Sequence, residues 1–160
     1  MAKKQRLDKA IAMQGSLSRS EVKTLIRKGA VTVNGQVVKN ADFGVDFDSD
    51  TVAVQGKELS LSMHIYLMLN KPKGVVSASE DKKLPTVVDL VPKELWRKGL
   101  FPAGRLDKDT TGFVLITDDG EFAHDILSPK KHISKTYHAL VNGTITDEMV
   151  EGFAKGVIIG

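Results

Sequence analysis

The sequence predicts an α+β protein made of two units with different composition. Helical and strand-like apolar patterns are mixed along the 160 residues, without the regular βαβ alternation of a parallel sheet. Charge is also segregated, because residues 1–40 carry a net +7, residues 41–60 carry −4, and residues 61–160 are neutral. We therefore expect a basic module with its linker over residues 1–60 and a second unit over residues 61–160.

Two short helices and a β-hairpin are predicted in the basic module. Apolar spacing indicates a helix over residues 7–14, which Gly15 ends. Ser18 and Glu21 have the spacing of a capping box that starts a second helix, and Gly29 suits its C-terminal end. Asn34-Gly35 between two β-branched runs is typical of a two-residue hairpin turn. Residues 51–55 indicate another strand, and residues 56–62 a linker.

The positive charge of this module favours a polyanionic partner, most commonly nucleic acid. Arg19, Lys23 and Arg27 are spaced by four and share one helical face, on which the sequence offers few acidic partners. Such a row can follow a phosphate backbone, although an ordinary solvated face is the alternative. The candidate nucleic-acid contacts of the module are Arg6, Lys9, Arg19, Lys23, Arg27, Lys28 and Asn34.

The second unit is predicted to mix strands with two helices. Strand-like runs occupy residues 64–69, 114–117 and 137–141, and Pro72 and Gly74 form a turn after the first of them. A helix follows residues 118–120 and is broken by Pro129, and Thr146 suits the N-cap of a last helix.

Residues 104–112, GRLDKDTTG, form the densest cluster of chemically active side chains. Asp107 and Asp109 could act as a glycosidase pair, but two carboxylates in one loop are not set across a substrate by sequence alone. The calcium-loop pattern, the P-loop and a close pair of histidines for zinc are absent, and the chain has no Cys. We therefore expect no metal site. No signal peptide or membrane span is evident, so a cytoplasmic protein is expected.

Two sets of motifs resemble known families. The run from RLDK to VNG in residues 6–35 resembles the RNA-binding module named after the fourth ribosomal small-subunit protein. The segments YLMLNKPKGVVSA, PTVVDLVP, GRLDKDTTGFVLITDDG and KTYHALV together resemble the RsuA-like pseudouridine synthases, whose members begin with the same module. This resemblance implies a mixed, mainly antiparallel catalytic sheet and isomerisation of a uridine in ribosomal RNA. It also implies that no cofactor is needed.

The resemblance also assigns candidate site residues. Asp107 matches the catalytic aspartate, which acts as a nucleophile, a charge stabiliser or a proton carrier; the sequence leaves this choice open. Tyr137 matches an active-site tyrosine that stacks on the flipped base, its alternative being an ordinary strand tyrosine. Arg105 is expected to hold the RNA backbone or to fill the gap left by the base. The remaining candidates along the RNA path are Lys71, Lys73 and Lys135.

The TTG and TDDG motifs favour the small-subunit enzyme of this family, acting on free RNA or on a partly assembled small ribosomal subunit. A large-subunit synthase is one alternative, and an RNA-binding or assembly protein without catalysis is another. Catalytic domains of the family continue beyond the equivalent of residue 160, so the C-terminal part is expected to be absent here. Apolar sheet surface should then be exposed. A monomer is the default expectation.

Overall fold

A computed structural model describes residues 4–15 and 17–158 of the chain. It confirms an α+β architecture in which every paired strand in the described residues is antiparallel to its neighbour. The strands are β1 (Gln5–Arg6), β2 (Val31–Val33), β3 (Gln36–Val37), β4 (Gly44–Val45), β5 (Val52–Val54), β6 (Lys57–Leu59), β7 (Tyr66–Lys71), β8 (Phe101–Ala103) and β9 (Gly112–Thr117). The α-helices are α1 (Leu7–Met13), α2 (Arg19–Arg27), α3 (Gly120–Leu127) and α4 (Asp147–Lys155). Short 3-10 turns cover Val88–Leu90 and Pro129–Lys131.

The first hydrophobic core joins α1 and α2 to the sheet of order β3-β2-β5-β6. Apolar residues of both helices and of three strands are buried together because each element has one apolar face. The core residues are Leu7, Ala10, Ile11, Val22, Ile26, Val31, Val33, Val45 and Val52. The pairing of β1 with β4 was not predicted, and it fixes the start of α1 against residues 41–45.

The predicted ends of α2 are confirmed. The Ser18 hydroxyl accepts from the Glu21 amide, and the Glu21 carboxylate accepts from the Ser18 amide, which completes the capping box. At the other end Gly29 has φ +74°, and its amide donates to the carbonyl of Ile26. The amide of Ala30 donates to the carbonyl of Leu25. These two bonds form a Schellman motif, which satisfies carbonyls that a helix end leaves free.

The predicted hairpin turn at Asn34-Gly35 is confirmed, with φ values of +51° and +78°. The predicted linker after it is wrong in its first part, because residues 57–59 form β6, which pairs with β5. Gln55 and Gly56 have φ values of +52° and +79° and make a second turn of the same kind. Gln at the first position hid this turn from sequence inspection, since Asn and Asp are the residues that usually signal it.

The second core lies on one face of the sheet of order β7-β9-β8. Leu67 pairs with Ile116 and Leu69 with Val114, and these residues face the core. The opposite face carries Met68 and Phe113, which are 82% and 63% exposed. The apolar exposure expected for this sheet is therefore present. Strand β8 was not predicted.

The remaining elements differ in how well the sequence predicted them. Asp119 caps α3 and Thr146 caps α4, each accepting from the amide three residues later, so both predicted helices are confirmed. The predicted strand over residues 137–141 is wrong, because the segment is irregular and exposed. A strand needs a neighbour for its backbone groups, and none of the described strands pairs with it. No helix in the described ranges is long and apolar enough to cross a bilayer.

Candidate functional site

The cluster singled out in the sequence forms a loop between β8 and β9. Gly104 and Gly112 bracket it with φ values of +110° and +131°, a backbone conformation that residues with a Cβ rarely adopt. Within the loop, the amide of Thr110 donates to the carbonyl of Asp107 at 3.1 Å, which closes a tight turn. The carboxylate of Asp107 is exposed at the first position of this turn. We call residues 104–112 the aspartate loop.

The segment after β7 anchors the aspartate loop at several points. The amide of Gly74 donates to the carbonyl of Lys108 at 2.9 Å. The hydroxyl of Ser77 donates to the carbonyl of Leu106 at 2.8 Å and accepts from the amide of Leu106 at 3.1 Å. The motif KPKGVVS therefore holds the backbone on both sides of Asp107, which fixes the position from which the carboxylate projects.

Lys71 is the third anchor, and its position contradicts the expectation that it lines the RNA path. It is fully buried. Its ammonium group donates to the carbonyls of Pro72, Lys108 and Thr110 at 3.1, 3.0 and 2.8 Å. A buried cation whose donors are already used cannot also contact a phosphate, so Lys71 supports the loop from within. The burial of Lys71 had a signal in the sequence. Leu67, Leu69 and Lys71 alternate along β7, and this period of two places all three side chains on the buried face.

The other candidates near the loop lie at the surface. Arg105, Lys73 and Lys135 are exposed, and no ion pair in the described residues joins Arg105 to Asp107. Tyr137 is 67% exposed in the irregular segment before α4. None of the hydrogen bonds among the described residues connects it to the aspartate loop. The structure thus brings Lys71, Gly74 and Ser77 to the backbone of the aspartate loop, and no hydrogen bond in the described residues joins Tyr137 to that loop.

The basic face of the first unit has an acidic partner that the sequence analysis did not expect. Asp8 is fully buried, and its carboxylate lies 3.1 Å from Arg6, 3.4 Å from Arg19 and 3.8 Å from Lys23. Burial opposes ionisation of Asp8, but the hydrogen bonds from Arg6 and the charge of Arg19 outweigh it and lower its pKa below the usual range. The expected scarcity of acidic partners on this face is therefore wrong.

The remaining cationic candidates of the module face solvent. Lys9, Arg27 and Lys28 are exposed, and no ion pair of the described residues involves them. Asn34 has an inward role instead: its amide group donates to Asp50 at 2.9 Å, and its carbonyl oxygen accepts from the Thr51 amide at 2.9 Å. This side chain ties the hairpin turn to the neighbouring loop through one donation and one acceptance.

A phenol and a carboxylate pair at the edge of the exposed sheet face, a contact that sequence analysis missed. The hydroxyl of Tyr66 donates to Asp119, and its ring meets the ring of Phe122 edge-on at 5.1 Å. The hydrogen bond to Asp119 raises the pKa of Tyr66 to about 12. The same bond, with the donation from the amide of Phe122, lowers the pKa of Asp119. This pair ties α3 to β7.

No group of three or more His, Asp or Glu side chains in the described residues is placed to hold a metal ion. What the geometry presents is an anchored, exposed carboxylate in one unit and a row of cations in the other. These two features define a protein with one cation-rich unit and one unit that presents a carboxylate to solvent from a fixed loop.

Comparison with known proteins defines the family. The family described as RNA pseudouridylate synthase matches residues 65–156, and the S4 domain matches residues 5–52. The chain therefore belongs to the RNA pseudouridylate synthase family, as the sequence motifs predicted, and carries an S4 domain before the synthase domain.

Relatives with curated names agree with this assignment. The chain is 48% identical over 154 residues to the uncharacterized RNA pseudouridine synthase YtzG of Bacillus subtilis, covering 96% of this chain and 64% of the relative. It is 44% identical over 155 residues to ribosomal small subunit pseudouridine synthase A of Escherichia coli, covering 95% and 65%. A solved pseudouridylate synthase shares 40% identity over 79% of this chain and 54% of its own, with a TM-score of 0.37. The chain thus spans about two thirds of the length of these two curated relatives.

Proposed function

We propose that this chain isomerises a uridine of small-subunit ribosomal RNA to pseudouridine, with Asp107 as the catalytic carboxylate. The observation that carries the proposal is the anchored aspartate loop. Three groups of the KPKGVVS segment hold the loop, while the carboxylate itself stays exposed. A reacting group held in a fixed position reduces the entropy that the reaction must lose in reaching its transition state.

The reaction needs a carboxylate and no outside reagent. The bond between N1 of uracil and C1′ of ribose breaks, the base turns, and a bond between C5 and C1′ forms. N1 gains a proton and the proton of C5 passes to solvent, so atoms balance and no oxidant or reductant takes part. A carboxylate can attack the sugar, stabilise positive charge on it, or carry the C5 proton. Each of these roles requires the exposure that Asp107 has.

The target base must leave its stack before the carboxylate can reach it. Flipping a nucleotide costs a few kcal/mol, which contacts to the rest of the RNA must offset. The S4 domain supports this step because Lys9, Arg27 and Lys28 present unshared positive charge to solvent. We propose that Arg105, exposed within the aspartate loop, and Lys73, exposed in the segment that anchors it, hold the RNA backbone there. We also propose that Tyr137 stacks on the base once RNA is bound.

The substrate assignment rests on similarity to the small-subunit enzyme of Escherichia coli. A partly assembled small subunit is included as a substrate because a protein can recognise the folded shape of RNA together with bound proteins. A large-subunit target is the second candidate within the same chemistry. Mapping the modified position in the two ribosomal RNAs separates the two.

Tritium release tests the function. Small-subunit ribosomal RNA labelled at C5 of uracil would be taken from cells lacking the enzyme and offered free or bound to early ribosomal proteins. The parent chain and Asp109→Asn should release tritium, and Asp107→Ala should not, since Asp109 lies in the same loop without the proposed role. Asp107→Asn should keep its affinity for RNA. Absence of release by the parent on both substrates would overturn the proposal, and RNA binding without release would favour the assembly protein.

A further inference from the structure

A cleft lies where the S4 domain meets the synthase unit, away from the aspartate loop. Its cavity has a volume of about 350 Å³. The S4 side contributes Lys9 and Arg19, together with Ala12 and Met13 of α1. The synthase side contributes His64, Lys98, Gly99 and Asp118, and Met63 comes from the segment that links the two units. A water molecule occupies about 30 Å³ in the liquid, so the cavity has room for a phosphate group and part of its sugar.

The two walls of the cleft are held together by a buried polar contact. Arg97 is buried, and its guanidinium donates to the side-chain oxygen of Gln14 at 3.0 Å and to the carbonyl of Ser62 at 3.2 Å. Gln14 also donates to that carbonyl at 3.2 Å and accepts from the Ser62 amide at 3.3 Å. Arg97 and Gln14 therefore join three parts of the chain: α1, the segment that links the two units, and the segment before β8.

Gly15 brings the two walls still closer. A Cβ at this position would lie 2.1 Å from the carbonyl oxygen of Trp96 and 3.0 Å from Cα of Arg97. Only a glycine permits that approach, and its φ of +91° also favours glycine. The backbones of the two units are thus in direct contact beside the cleft, and the distance between the walls is set by the fold.

The charge of the cleft is positive after internal pairing. Asp118 is its one acidic lining residue, and Arg97 and His64 each lie 3.4 Å from its carboxylate. The amide of Ile65 donates to the same carboxylate at 2.9 Å. Arg19 shares Asp8 with Arg6 and Lys23, and Arg6 also pairs with Asp42, so two carboxylates offset only part of the charge of three cations. Lys9 and Lys98 have no ion-pair partner among the described residues.

We propose that this cleft binds one phosphate of the RNA backbone, with Lys9 and Lys98 contacting it from opposite walls. The proposal rests on the proposed function, because it takes the polyanion to be the RNA substrate. A phosphate held between the two units couples the S4 domain to the synthase unit. RNA that lies in the cleft is thereby set in one orientation relative to Asp107. The cleft adds Lys98, a residue outside the S4 domain, to the RNA contacts.

The salt dependence of binding tests the cleft independently of catalysis. Affinity for a small-subunit ribosomal RNA transcript would be measured between about 50 and 200 mM salt for the parent chain. The same series would be run for Lys9→Ala, Lys98→Ala and the double variant. Log K falls linearly with log salt, and loss of one phosphate contact makes this negative slope shallower by about 0.7–0.9. Because both lysines hold the same phosphate, the double variant should lose about one contact in total, and the two losses in affinity should not add.

A matched control and the tritium assay separate the outcomes. Lys82→Ala removes an exposed lysine that has no ion pair in the described residues, and it should leave the slope unchanged. A parental slope in the double variant, or strictly additive losses in affinity, would overturn the phosphate cleft even if the parent releases tritium. A reduced slope without tritium release would support the cleft and overturn the isomerase. Equal effects of Lys82→Ala and Lys98→Ala would reduce the cleft to general surface charge and overturn it.

Discussion

Replacing Lys71 with methionine removes the buried ammonium group while keeping a side chain of similar length on the core face of β7. Three carbonyls lose a donor: those of Pro72, Lys108 and Thr110. The carbonyl of Lys108 keeps the amide of Gly74 as a partner, so the orphaned acceptors are those of Pro72 and Thr110. We expect the aspartate loop to loosen at residues 108–110 and to shift the Asp107 carboxylate.

The magnitude follows from the bonds lost. A hydrogen bond from a charged donor contributes about 1.5–3 kcal/mol, and a carbonyl left without a donor costs up to about 1–3 kcal/mol where water cannot reach it. Part of this is regained because methionine avoids the desolvation of an ammonium group. The net loss in the free energy of unfolding should be about 2–4 kcal/mol. A mislocated carboxylate should lower kcat much more than it raises KM for RNA, since the cationic surfaces are unchanged.

Lys73→Met is the matched control, because the same substitution falls on an exposed lysine of the same KPKG motif. Urea unfolding gives the stability of both variants. Amide hydrogen exchange reports the loop directly, and exchange at Gly74 and Thr110 should accelerate in Lys71→Met alone. If both variants lie within about 0.5 kcal/mol of the parent, as surface substitutions usually do, Lys71 does not anchor the loop.

Three further predictions follow from local geometry. Gly15→Ala should lower the free energy of unfolding by about 1–3 kcal/mol, because the new Cβ would overpack against Trp96. Urea unfolding measures this change, and an unchanged midpoint would show that the two units are not in contact there. Asp8→Asn should lower the free energy of unfolding at neutral pH. Because folding lowers the pKa of Asp8, the difference in free energy of unfolding from the parent should shrink as the pH falls below 3.8. A difference that stays constant with pH would contradict the ion-pair assignment. Asp119→Asn in a Tyr137→Phe background should bring the pKa of Tyr66 from about 12 towards 10.0 in an ultraviolet titration, while an unshifted phenol would place the cause elsewhere.

The anchored loop gives the KPKG motif a physical meaning. Pro72 and Gly74 turn the chain after β7, and the turn directs the Gly74 amide at Lys108. The lysine before the turn reaches the loop from the core side, and Ser77 reaches it from the other end. A motif that precedes Asp107 by more than thirty residues therefore bonds to the backbone of Leu106, Lys108 and Thr110 in the aspartate loop.

Elements with local signals were predictable from the amino-acid sequence alone. The capping box at Ser18 and Glu21, the turn at Asn34-Gly35 and the caps of α3 and α4 all depend on residues within four positions of one another. The family assignment also came from the sequence, because the motifs of the aspartate loop and of the basic module are each contiguous in the chain. The segregation of charge along the chain pointed to nucleic acid without any knowledge of packing.

The roles of single side chains depend on the folded structure. Lys71 and Lys73 are the same residue type in one motif, yet one is buried as an anchor and the other is exposed, because strand alternation and the approach of the aspartate loop differ at the two positions. Asp8 is distant in sequence from Arg19 and Lys23 and meets them only when α1 packs on α2. The strand predicted over residues 137–141 has no pairing partner among the described strands, and local propensity does not replace one. Pairing, burial and charge compensation depend on contacts between segments far apart in the chain, so they were decided by the fold.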